Sequence, residues 1–183
     1  LAAEYGGTGF SNASNDRGLM TGGFEAPYGM PTNTIQYWTI STGSNASDFG
    51  DCTTENMYVG ATSSAENERG VIAIGATMSG NVNTIEYVTI NSAGNALDFG
   101  DLTVTRTSPA GLSNGTNNRA VFGGGFGNSV AHAQTMDYIT INSTGNATDF
   151  GDLQVSNGSN YSAGTSSGTG EKGIFAGGQN VDS

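Results

Sequence analysis

Three pairs of aspartates recur at one spacing: Asp48 and Asp51, Asp98 and Asp101, Asp149 and Asp152, each inside an Asp-Phe-Gly-Asp segment. Paired carboxylates suit a hard cation or a division of acid and base duties. Calcium takes roughly six to eight oxygens, and two aspartates at this spacing supply too few. The denser Asp-x-Asp-x-Asp-Gly pattern is absent. The preferred reading is structural: one Asp accepts from the backbone N–H groups of its turn and the other pairs with a base. Calcium is the runner-up, and no other cofactor is implied. Carboxylates that split into acid and base need unequal surroundings, and nothing in the sequence picks out such a pair.

The bases are as regular as the acids. Arg17, Arg69, Arg119 and Lys172 hold one position in successive repeats, and Arg106 is the only other basic residue. The simplest expectation is a bidentate arginine–carboxylate bond to an aspartate of the Asp-Phe-Gly-Asp segment, fixing strand register. On that pairing, Arg119→Ala is expected to destabilise far more than Arg106→Ala. Tyr37, Tyr87 and Tyr138 are expected in the core, as are Phe49, Phe99 and Phe150, with Trp38 packed between repeats.

Other chemistries lack their parts. His132 has no Cys or second His nearby for a metal site, and no Gly-x-Ser-x-Gly elbow accompanies it. The Gly123-Gly124-Gly125 run closes a strand, and no lysine follows as in a phosphate loop. Cys52 is the single cysteine, so no disulfide framework exists within the chain. The expectation is a non-enzyme.

What must position these residues is a repeat of about 50 residues. Thr34 to Ile40, Thr84 to Ile90 and Thr135 to Ile141 are three copies of one stretch with a central tyrosine. The chain divides roughly into units 1–52, 53–103, 104–154 and a partial 155–183, taken together as one repeat domain. The first unit is read as four short strands over 5–10, 17–24, 34–40 and 46–52, joined by turns rich in Gly, Asn and Ser. In Thr34 to Ile40 both alternating faces carry apolar residues, which predicts a strand sandwiched between neighbouring sheets. Glycines repeated at one place in the strands predict close backbone approach near a shared axis. No stretch shows helical periodicity. The fold expected is all-β, and four-stranded units of this length are the blades of a propeller. A parallel β-helix is the competitor.

The net charge of -11 and pI of about 4.1 argue against nucleic acid and anionic membrane surfaces. No apolar run approaches the ~18 residues of a membrane span. Leu1-Ala2-Ala3-Glu4 lacks the basic start and apolar centre of a signal peptide. The sequence opens inside a repeat, and the expectation is a processed chain or a piece of a longer one.

The order of hydrophobic strand, Gly-Gly, loop, strand with central Tyr and polar edge resembles the kelch repeat. Phe122-Gly123-Gly124 and Tyr138 stand where a kelch blade has its glycine doublet and tyrosine. The kelch tryptophan is missing, and Phe49, Phe99 and Phe150 stand near its place. The wording of the repeats, Thr-Ile-Glu-Tyr-Val-Thr-Ile then Gly-Asn-Ala-x-Asp-Phe-Gly-Asp-Leu, also resembles repeats in structural and tail-fibre proteins of marine bacteriophages. The resemblance implies a kelch-like propeller of about three and a half blades in a virion or extracellular setting. It further implies a structural or host-receptor-binding role, with other virion subunits, further copies of itself, or a host surface glycan or protein as partners. The alternatives are a secreted bacterial adhesin or carbohydrate-binding propeller, and then a propeller lyase or glycosidase. Binding is expected in the segments after the second strand: Glu25 to Asn33, Thr77 to Asn83 and Gly127 to Gln134.

Overall fold

The computed structural model describes residues 4–11, 16–64, 68–114, 118–127, 134–154, 161–167 and 172–178. The described chain is all-β and built of antiparallel sheets. Three units each form a four-stranded meander. Their strands are Thr8–Ser11, Arg17–Thr21, Met30–Thr39 and Ser47–Asn56; Gly60–Ser63, Arg69–Ala73, Thr84–Thr89 and Leu97–Asp101; Ala110–Asn114, Arg119–Gly123, Thr135–Thr140 and Thr148–Asp152. The fourth unit shows the first two strands, Ala163–Ser166 and Gly173–Ala176. The first unit's last strand runs on to Asn56, which pairs with Thr32. Equivalent residues keep equivalent register: Leu19 faces Tyr37, Val71 faces Tyr87 and Val121 faces Tyr138.

The sheets pack face to face, so both faces of a middle strand are interfaces. Leu19, Ile35, Phe49 and Cys52 of the first unit meet Ile72, Val88, Ile90 and Ala96 of the second in one buried cluster. Val71, Ile85, Phe99 and Leu102 of the second meet Ala120, Phe122, Ile139 and Ile141 of the third in the next. This explains the two-sided apolar pattern of the central strands, as expected from sequence.

The first strands of the four units lie side by side and line a common cavity of about 410 Å3. Their backbones touch there: a Cβ on Gly111 would stand 2.6 Å from the Ala61 carbonyl oxygen, and one on Gly164 would stand 2.8 Å from that of Gly111. A serine ladder ties the far ends of these strands together. The Ser63 hydroxyl donates to the Ser11 carbonyl, Ser113 to Ser63, and Ser166 to Ser113.

Each first strand is entered through one residue in an unusual backbone conformation. The equivalent positions are Gly6, Tyr58, Ser108 and Tyr161, all in left-handed backbone with φ of 76°, 58°, 53° and 60°. The turn requires this conformation, and the glycine of the first unit adopts it most easily.

Candidate functional site

The row of bases does not pair with the Asp-Phe-Gly-Asp aspartates. The Arg17, Arg69 and Arg119 guanidinium groups lie 4.6, 4.3 and 4.4 Å from the ring centroids of Tyr37, Tyr87 and Tyr138. Each tyrosine meets the phenylalanine of its own unit edge to face, at 5.9, 6.1 and 6.0 Å. Sheet order explains the correction. The tyrosine strand stands between the arginine strand and the aspartate strand, so base and acid are two strand spacings, about 10 Å, apart. Arg17 and Arg69 reach forward instead: their NH1 groups donate to the Ile90 and Ile141 carbonyls of the following unit at 2.8 and 2.9 Å. Lys172 holds the same position in the fourth unit and is exposed.

The Asp-Phe-Gly-Asp segments serve as clasps between units. Gly94 N–H donates to the Phe49 carbonyl at 2.8 Å, Ala96 N–H to the Asp51 carbonyl at 2.8 Å, and Asp51 N–H to Asn95 Oδ1 at 3.1 Å. The next joint repeats this with Gly145 on Phe99, Ala147 on Asp101 and Asp101 on Asn146, at 2.8, 2.7 and 3.1 Å. The segment's glycine is required twice over. Gly50 and Gly100 have φ of 146° and 142°, and a Cβ on either would come within 2.5 Å of the backbone of Gly94 or Gly145. Asp48, Asp98 and Asp149 are exposed, and Asp149 Oδ1 accepts from Gly151 N–H at 3.2 Å, a turn bond of the expected kind. Among the described residues no group of three or more His, Cys, Asp or Glu converges as a metal site would require.

The one salt bridge among the described residues is elsewhere. Arg106 NH2 stands 2.8 Å from Asp137 Oδ2, with both side chains wholly buried. NH2 also donates to the Phe122 carbonyl at 3.0 Å, and the Thr103 hydroxyl donates to Asp137 Oδ1. Burial pulls the Arg106 pKa down, and the Asp137 charge pulls it back up. One unit earlier, Glu86 is equally buried; it accepts from Thr53 N–H at 3.1 Å and from the Thr53 hydroxyl. Sequence reading missed all three residues. The signal was there in the aligned repeats: Gln36, Glu86 and Asp137 share one column, and Arg106 shares a column with Asn56, which is also fully buried. Arg106 looked out of register only because its counterpart is not basic.

The end of the stack where first strands begin and second strands finish carries the loops that follow the second strands. Tyr28, Met30, Met78, Phe126 and Tyr161 are all exposed there. Tyr58 of the second unit and Tyr161 of the fourth line the shared cavity, and Phe24 of the first unit packs beside Tyr58. Phe24 meets Tyr58 at 5.4 Å and Tyr58 meets Tyr161 at 6.3 Å, both edge to face. The segments Glu25 to Asn33 and Thr77 to Asn83 lie at this end, as short hairpins. Most of Gly127 to Gln134, with His132, lies outside the described residues.

Cys52 is buried and unpaired. Its thiol lies 3.3 Å from the Thr21 hydroxyl, and burial pushes its pKa up to about 12, which makes it a packing group and not a nucleophile. No protein-family model matches the chain, and no curated protein matches its sequence.

Proposed function

We propose that the chain is a kelch-like propeller segment acting as a non-enzymatic recognition or structural module on the outside of a virus particle, in the manner of a tail or fibre protein. The observation that carries the recognition reading is the gathering of Tyr28, Met30, Met78, Phe126 and Tyr161, all exposed, at one end of a rigid stack. Loops on a rigid scaffold are common recognition elements, and large exposed apolar groups at one end of a fold suit a contact surface. Tyr58 and Tyr161 share their cavity with glycine backbone, Ser108 and Ser162, which suits a sugar, since a sugar offers both an apolar face and hydroxyl groups. The side-by-side first strands and four-stranded meanders support the propeller reading. The strong negative charge fits a surface that stays clear of nucleic acid.

An antibody raised against the 183-residue chain, applied to purified particles from the source under electron microscopy, tests the setting. Labelling confined to a tail or fibre supports the proposal. Labelling of bacterial surfaces alone would replace it with the adhesin reading.

A further inference from the structure

The two joints inside the stack provide a template for a third that is only half made. In each complete joint the leading unit offers a phenylalanine, a left-handed glycine and an arginine. The following unit answers with Gly-Asn-Ala and the carbonyl of an isoleucine. The third unit offers the same set in Phe150, Gly151 and Arg119. Phe150 is 48% exposed, however, where Phe49 and Phe99 are 3% and 2% exposed. A Cβ on Gly151 would meet nothing within 4 Å, where those on Gly50 and Gly100 would strike backbone.

The fourth unit's two described strands cover the inner part of this face. Beyond them lies a groove of about 730 Å3, lined by Arg119, Val121, Met136, Phe150, Leu153 and Ile174 among others. The corresponding places in the earlier joints are filled by Val88, Ile90 and Ala96, and by Ile139 and Ile141 with Ala147 packed against them. Among the described residues the strand Gly173–Ala176 is paired on one side, with Ala163–Ser166; its counterparts Arg69–Ala73 and Arg119–Gly123 are paired on both.

We propose that this groove is a docking site for a β-hairpin of the repeat's own second-half type: a Thr-x-x-Tyr-x-Thr-Ile strand, with Ile or Met at its second position, turning through Gly-Asn-Ala. The first strand of the hairpin adds to the open edge of Gly173–Ala176, a strand-addition mode of binding. Its isoleucine carbonyl accepts from Arg119, and its aliphatic side chains fill the groove. The Gly and Ala N–H groups donate to the Phe150 and Asp152 carbonyls, and the Asn side chain accepts from Asp152 N–H. The inference rests on the repeated joint and not on where the protein works, so it stands or falls apart from the virion reading.

The test titrates the full chain with a synthetic peptide of residues 135–152, followed by amide NMR and sedimentation. The expected result is saturable one-to-one binding, with shifts confined to the amides of 150–152 and 173–176. Phe150→Ser should abolish it, and Arg119→Ala should weaken it about tenfold; both side chains are exposed, so both variants should fold. Because a short hairpin can fail to form alone, a second form carries residues 131–154 appended after Ser183. It should melt at a higher temperature and protect the amides of 150–152 from hydrogen exchange, while a scrambled extension does neither. Absence of binding together with unprotected amides in the extended chain overturns the proposal. A chain that dimerises through the groove and excludes the peptide overturns it in favour of a joint between copies.

Discussion

Arg106 and Asp137 meet at 2.8 Å with neither side chain exposed, where the second unit passes into the third. The two charges are held by the fold and by each other. Arg106 Nε and NH1 have no acceptor among the described residues, so the ion pair and the bond to the Phe122 carbonyl are what offset the desolvation of the guanidinium. Removing either partner leaves the other charge buried. Arg106→Ala or Asp137→Asn is therefore expected to cost about 3–5 kcal/mol, read from urea unfolding. Arg119→Ala loses an exposed stacking contact with Tyr138 and should cost about 1 kcal/mol or less. This order is the reverse of the sequence expectation. Replacing both members of the pair by apolar residues of similar volume should recover most of the loss.

Glu86 is the contrasting case. Its carboxylate is satisfied by the Thr53 N–H and hydroxyl, and the column already accepts glutamine at position 36. Glu86→Gln is expected to change stability by less than about 1 kcal/mol, against the large loss for Asp137→Asn measured the same way.

The open third joint separates two equivalent phenylalanines. Phe99→Ala empties a site in the middle of a sealed interface and should cost about 3–5 kcal/mol. Phe150→Ala, at a half-exposed site, should cost less than about half of that. Thermal midpoints of the two variants give the comparison directly.

Close approach of the first strands sets the next expectation. Gly111→Ala forces a methyl against the Ala61 carbonyl oxygen and should destabilise by about 1–3 kcal/mol. Gly43 is the internal control, because nothing lies within 4 Å of its Cβ position. Gly43→Ala should be neutral or stabilising by up to about 1 kcal/mol.

Cys52 gives a pH signature. Its thiol ionises near 9.0 when unperturbed and is pushed up to about 12 in the fold. Between these values the unfolded chain has lost the proton and the folded chain has kept it, so stability falls as pH rises, by up to about 1.4 kcal/mol per pH unit. Below that window the contribution is fully present. The stability difference between the native chain and Cys52→Ala should shrink from pH 9 towards pH 12. At pH 8 a thiol reagent should label Cys52 only as fast as the chain opens.

The fold was legible where it depended on period and alternation. Thr84 to Ile90, with apolar side chains on both faces, announced a strand between two sheets, and the repeated glycines announced backbone contact. Partner choice was not legible, because it depends on strand order within a sheet. Counting charges suggested Arg17 with Asp48 or Asp51; the intervening Tyr37 strand, visible only in three dimensions, makes tyrosine the neighbour. The gathering of Phe24, Tyr58 and Tyr161 was equally hidden, since they come from three units and only the packing of first strands unites them.

The serine ladder sits at the opposite end of the strands from Tyr28 and Met78, whereas the clasp residues Asp51 and Asp101 pair with Thr34 and Thr84 towards the same end. The clasp and ladder residues are nevertheless distinct from the exposed Tyr28 and Met78 side chains. Substitution at Tyr28 or Met78 therefore leaves the clasps and the ladder in place, so these loops can vary widely without the joints being rebuilt.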